Sequence, residues 1–342
     1  MFQYILKKIL RVIGILLGVV LVMYLLLYAI PGNPLNNYVS NAQRALSNYY
    51  VDDYVLKEIN RRFGLDLPIW HQITRYLIGD KIDGKFVCGI ICGNLGPSIS
   101  QRGRPIADIL FTPPVGKTFW ESQFGFSIRL VLFSSIIAVF LGVPLGIAGA
   151  KNYLKPYNRV QSVFLAGLVS IPNFVLGLLA VVIFASWLHI AKVIPNWDYF
   201  GDWLIPAFVL AAMPMANVAR VMQTTLVNTQ NMDYVRTARA KGLPERQVTL
   251  VHIMRNALVP FIAYLGPTLV ELFGGLFIVE SLFSFPGFGR EYWRAVLRLD
   301  YPMILGLTLF YAAGITIVNL IIEIASELLD PRIKEQKEQV NP

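Results

Sequence analysis

Residues Arg236 to Pro260 read RTARAKGLPERQVTLVHIMRNALVP, with Arg236, Arg239, Lys241, Arg246 and Arg255 spread along them. The stretch lies between two long apolar runs, in a chain of 342 residues that is 55% apolar and 15% charged. Asp233 to Lys241 suits a helix. Gly242 can take the left-handed conformation that ends one, and Pro244 followed by Glu245 opens another, where a missing N–H and a negative charge both fit. In that second helix Val248, Val251 and Met254 are expected to line one side, with Arg246 and Arg255 left to meet water, lipid phosphate or protein. A bent, basic helical pair of this kind fits a docking surface for a cytoplasmic partner. The plainer reading is a loop that only fixes orientation.

The flanking sequence sets the class. A mean hydropathy of +0.55 and apolar blocks longer than the ~18 residues that mark a membrane span point to a polytopic membrane protein. Six spans are expected, at about 9–30, 127–149, 161–188, 203–228, 257–281 and 301–328. The formal charge of +9 is explained by basic residues held in short inner loops rather than by nucleic acid. Lys7, Lys8, Arg11, Lys151, Lys155, Arg159, the five cations of the opening stretch, Arg332, Lys334 and Lys337 then share one side, which puts both termini in the cytoplasm. The first span, preceded by KKILR, reads as a retained helix rather than a cleaved leader.

The organisation expected is a cytoplasmic start with a first span (1–30), an extracytoplasmic segment (31–126), a core of five spans (127–328) carrying an inner loop (229–256), and a tail (329–342). Cys88 and Cys92 lie in the outer segment, where oxidation is permitted. They could close a small disulfide, or join His71 as a weak metal set, but free packed thiols are the preferred reading. Gly116-Lys117-Thr118 resembles the end of a phosphate-binding loop. The glycine needed five positions before it is Phe111, so an irregular loop is expected. His71, His189 and His252 fall in three separate regions and build neither a hydrolase triad nor a zinc site.

Breaks within the spans are a second signal: Pro172 in the third, Pro206 and Pro214 in the fourth, and Pro260, Gly266-Pro267 and Gly274-Gly275 in the fifth. They suit a water-reached path or, equally, close helix packing. Pro172, Asn173, Pro214 and Glu271 are the candidate path residues. Of the charges within spans (Arg129, Arg220, Glu271, Glu280, Glu323 and Glu327), most are expected to snorkel near an end. Only Glu271 falls near a middle, and a hydrogen bond to a neighbouring helix is the favoured reading for it.

DYVRTARAKGL followed by RNALVP resembles the cytoplasmic signature of the dipeptide/oligopeptide permease subunits of bacterial ABC importers. YAIPGNP, FGLDLPIWHQ, GNLGPSI, LGVPLGIAGA, SIPNFVLGLL, VESLFSFPGFG, DYPMILG and LLDPRI are similar to that family in the same order, over nearly the whole chain. The resemblance implies an all-α polytopic membrane protein with the type I importer permease fold, acting by alternating access in a bacterial or archaeal inner membrane. It implies a homologous second permease subunit, two ATPase subunits that bind ATP and Mg, and an extracytoplasmic solute-binding protein, with no cofactor, catalytic residue or metal in this chain. By that likeness Arg236, Thr237 and Ala238 take the Glu-Ala-Ala positions of the ATPase-engaging loop and Gly242 its glycine, with Arg239, Lys241, Leu243 and Arg246 beside them. The chain departs from the family at His252 to Arg255, where a proline-containing tetrapeptide is usual, and at Phe111 to Phe126, which replace a short Arg-Leu-Pro-x-Thr approach to the second span. The rival class is a secondary carrier or channel that needs no ATPase. Peptide, peptide antibiotic, nickel chelate and sugar all remain open as substrates.

Overall fold

The computed structural model describes residues 2–29, 61, 64, 66–82, 84–192 and 196–329. YAIPGNP, apart from its first two residues, and LLDPRI, apart from Leu328 and Leu329, lie outside them. In chain order the helices are α1 (Phe2–Ala29), α2 (Ile69–Leu77), α3 (Ile106–Phe111), α4 (Gln123–Lys151), α5 (Pro156–Ser170), α6 (Asn173–Ala180), α7 (Leu204–Gln230), α8 (Asp233–Ala240), α9 (Glu245–Gln247), α10 (Arg255–Leu282), α11 (Phe288–Leu297) and α12 (Tyr301–Leu329). Among the described residues five helices are long and apolar enough to cross a membrane, those built on α1, α4, α7, α10 and α12. A helix is the form that satisfies each backbone group without water.

The third expected span is not one rod. α5 and the helix running from Asn173 to Trp187 meet at 103°. Pro172 has no N–H to donate and drives Ile171 into an extended conformation (φ −86°, ψ 120°), so the helix must stop there. The other prolines behave differently: α7 continues through Pro214, and α10 through Pro260 and Pro267, without a break.

The chain divides into two compact units. In the unit of residues 127–285 and 317–342, α7 is the packing centre, with Ala211, Ala212, Ala216 and Ala219 fully buried. The LGVPLGIAGA stretch of α4 meets it along a glycine seam. A Cβ at Gly142 would stand 2.8 Å from the Met215 carbonyl oxygen, and one at Gly146 2.6 Å from that of Ala219. Lipid tails are as apolar as leucine, so helix association here rests on close van der Waals approach, which small residues at four-residue spacing permit. Gly275 of α10 makes similar room for Asn173, whose Nδ2 would stand 2.5 Å from an added Cβ.

The unit of residues 1–126 and 286–316 departs from the sequence expectations at two places. Gly79–Ile82 (β1) and Lys85–Cys88 (β2) form an antiparallel hairpin, with Gly79 opposite Cys88 and Ile82 opposite Lys85. Cys88 and Cys92 are joined in a disulfide, not free as the sequence reading preferred. The 3-10 turn Ile90–Cys92 between them folds the chain back until the two Cα atoms lie 6.0 Å apart, within bridging range.

Two motifs far apart in sequence meet in this unit. Asp300, fully buried, accepts hydrogen bonds from the Ser98 hydroxyl (2.6 Å), the Ile99 and Ser100 amides (3.2 and 2.8 Å) and the Met303 amide (3.2 Å). One carboxylate thus caps α12 and holds the GNLGPSI loop. Gly306, one turn further on, lets the Leu95 carbonyl and Ile106 approach to 2.9 and 2.8 Å of where a Cβ would be. The departing stretch 111–126 packs here as well, Phe111 and Phe124 lying 5.6 and 5.7 Å from the ring of Phe310. Within it Thr118 and Glu121 form a capping box, so Gly116-Lys117-Thr118 leads into a capped turn.

Candidate functional site

The stretch from Asp233 to Arg255 is built by local rules. Met232, in an extended conformation, precedes α8, and Asp233 places a negative charge in its first turn. At the other end the Gly242 amide donates to the Arg239 carbonyl (2.9 Å) and the Leu243 amide to that of Ala238 (3.4 Å), a Schellman-type stop. Gly242 sits at φ +75°, the left-handed region, and nothing lies within 4 Å of where its Cβ would stand. Glycine is required there by backbone conformation, not by space. Pro244 then starts α9, as the sequence reading expects. Arg239 fastens the bend: its Nε and Nη2 donate to the two carboxylate oxygens of Glu245 at 3.1 and 2.7 Å. That bidentate bond holds the guanidinium still more firmly protonated than usual.

The pair has an inner and an outer side. Val235 and Ala238 are buried with Val248, Ile253, Ala257 and Phe261, against Met222 and Leu226 of α7. Arg236, Thr237, Arg239, Lys241, Gly242 and Arg246 are exposed, while Leu243 closes the edge of the buried cluster. Ala238 therefore anchors the element from within rather than offering a contact surface. The Val248, Val251 and Met254 face expected from three-residue spacing is not the one formed. Residues Val248–Met254 wind as a π-helix, whose i to i+5 hydrogen bonds widen each turn. Val248 and Ile253, five apart, point inward, and Val251 is 46% exposed.

The candidate path residues do not assemble into one site. Pro172 and Asn173 mark the bend into α6, Asn173 packing on Gly275, and Pro214 is buried within α7. Glu271 is exposed on α10 and accepts a hydrogen bond from Asn217 Nδ2 of α7 at 3.2 Å, as favoured from sequence. Glu280, expected to snorkel, is instead fully buried and accepts from the Ser127 hydroxyl at 2.5 Å. The Arg129 guanidinium lies 4.8 Å from the Trp203 ring centre. Sequence reading missed Asn217 as the partner of Glu271, because no spacing rule links residues 54 apart.

Comparison with known proteins gives a consistent picture. Residues 142–335 match the family described as binding-protein-dependent transport system inner membrane component. The chain is 29% identical to the oligopeptide transport system permease protein AppB of Bacillus subtilis (strain 168), covering 98% of this chain and 100% of that one. It is 31% identical to the dipeptide transport system permease protein DppB of the same strain, over 98% and 99% of the two chains. It is 29% identical to the glutathione transport system permease protein GsiC of Escherichia coli (strain K12), again over 98% and 99%.

Proposed function

The chain belongs to the family of binding-protein-dependent transport system inner membrane components, and on that premise we propose that it forms half of a path for peptides or peptide-like solutes. It is the transmembrane permease subunit of an ABC importer. Its partners in the proposal are a homologous permease subunit, two ATPase subunits that bind ATP and Mg, and an extracytoplasmic solute-binding protein. Relatives named for oligopeptide, dipeptide and glutathione transport support the solute class.

The observation that carries the reading is the two-sided build of residues 233–246. Arg236, Thr237, Arg239, Lys241, Gly242 and Arg246 face outward to receive an ATPase, while Val235 and Ala238 are rooted between α7 and the start of α10. Closure of the ATPases on ATP would press on α8, and its buried side would pass the displacement to Met222, Leu226 and Ile253. Rocking α7 and α10 in this way alternates access to the path. Core packing is bistable rather than continuously compliant, which makes such a rigid-body transfer effective.

The test is uptake by proteoliposomes. The complete complex with its binding protein should accumulate peptide when ATP is supplied, and this chain alone should give neither uptake nor ATP hydrolysis. Flux through the chain alone on an ion gradient would establish the secondary-carrier alternative. Both termini are proposed to be cytoplasmic. A membrane-impermeant thiol label should reach Asn94→Cys only from outside and Lys334→Cys only from inside, and labelling of both from one face would overturn that topology.

A further inference from the structure

From Ile13 to Leu26 the exposed positions of α1 are Leu, Ile, Val and glycine, among them Ile13, Leu17, Leu21 and Val22, which is what a lipid-facing helix requires. One face joining α7 and α10 has a different chemistry. Along α7, Asn217, Arg220, Thr224 and Asn228 recur at spacings of three and four, so they form one stripe; the last three are exposed and Asn217 is half-buried. Along α10, Tyr264, Pro267, Glu271 and Gly274 are exposed at the same spacings. The Asn217–Glu271 hydrogen bond ties the two stripes into a single polar wall.

Glu271 lies near the middle of α10, and Arg220 lies ten residues before the end of α7 at Gln230. Among the described residues neither group is in an ion pair. A carboxylate and a guanidinium exposed on helices apolar enough to span a membrane are costly against hydrocarbon, so this wall must meet water, solute or protein. The two charges are opposite, and Arg220 follows Asn217 by one helical turn, roughly 4.5 Å along the axis.

We propose that Glu271, positioned by Asn217, and Arg220 are specificity-determining residues for a zwitterionic solute in the path, the carboxylate receiving an ammonium group and the guanidinium a carboxylate. Hydrogen bonding by Asn217 leaves the second oxygen of Glu271 to accept from the ammonium. The fork of Arg220 can take both oxygens of a carboxylate. This deepens the permease reading and rests on it.

The experiment uses the complete reconstituted complex with saturating binding protein and trialanine as probe. With Glu271→Gln, trialanine delivered per ATP hydrolysed should fall about tenfold, and Glu271→Asp should restore most of it. In the same complex, Glu271→Cys should react with a cationic, membrane-impermeant thiol reagent, and Leu21→Cys should not. The two native cysteines of this chain are held in their disulfide. An unchanged transport ratio in Glu271→Gln, or a cysteine at 271 as unreactive as that at 21, overturns the inference. The latter result would mean that the homologous subunit or lipid covers the wall. If the wild-type complex fails to take up trialanine with ATP, the peptide reading itself falls, and this assignment with it.

Discussion

The segment of residues 231–256 and the segment of residues 84–126 are both polar excursions, yet they are held in opposite ways. The turn at 241–245 is set by local devices: the Gly242 stop, the Pro244 start, and the Arg239–Glu245 bond six residues apart. The 84–126 segment depends on distant partners, above all Asp300, which takes donors about 200 residues away in sequence. A locally built element keeps its shape while its attachment shifts, which suits a part that transmits movement. A segment tied by long-range bonds is fixed by the finished fold and cannot move without breaking them.

The largest effect expected on folding follows from removing Asp300. Asp300→Ala would leave the Ser98 hydroxyl and the Ile99, Ser100 and Met303 amides without their acceptor in a buried place, costing on the order of 3 to 5 kcal/mol. Limited proteolysis should cut the 93–104 region of this variant far faster than in wild type, with cleavage in 231–256 unchanged. Equal protection in variant and wild type would show that the 93–104 loop is held locally after all.

A smaller effect should come from Cys88→Ser. For so short a closed loop the lost cross-link is worth about 2 kcal/mol in the chain-entropy account. The hairpin Gly79–Cys88 should exchange its amide hydrogens faster while Asp300 continues to hold residues 98–100. If loss of the disulfide released the 98–100 loop as well, the two ties would be one cooperative unit.

Arg239→Ala should have the smallest effect. Its bond to Glu245 is exposed to solvent, and salt weakens such pairs. Expression and thermal stability should match wild type at physiological salt, because the Gly242 conformation and the buried Val235 and Ala238 remain. A marked loss would shift responsibility for the bend from the backbone to the ion pair.

What could be read from the sequence follows the same division. Five spans were visible because hydrocarbon demands long apolar helices, and Gly242 because a left-handed stop has its own residue chemistry. The proline at 172 was recognised as a break, but its 103° bend was not, since a missing N–H says where a helix ends and not where the next one points. The π-turn at Val248–Met254 carries no signature residue, so three-residue spacing groups Val248 with Val251 and Met254, whereas the structure buries it with Ile253. Asp300, Glu280 and Asn217 became intelligible only with their partners Ser98, Ser127 and Glu271, because spacing rules reach one or two turns and no further.

The central claim is that the 233–246 bend couples this permease to its ATPases through the backbone shape at Gly242. The direct measurement is ATP hydrolysis by the purified complete complex, with and without solute-loaded binding protein, for Gly242→Val and Gly242→Asn. A β-branched residue resists the left-handed region by roughly 1 to 2 kcal/mol, whereas asparagine enters it readily. Both variants should fold and insert, since nothing in this chain lies within 4 Å of the new Cβ. The account predicts that stimulation is lost in Gly242→Val and retained in Gly242→Asn. Full stimulation in Gly242→Val would contradict it.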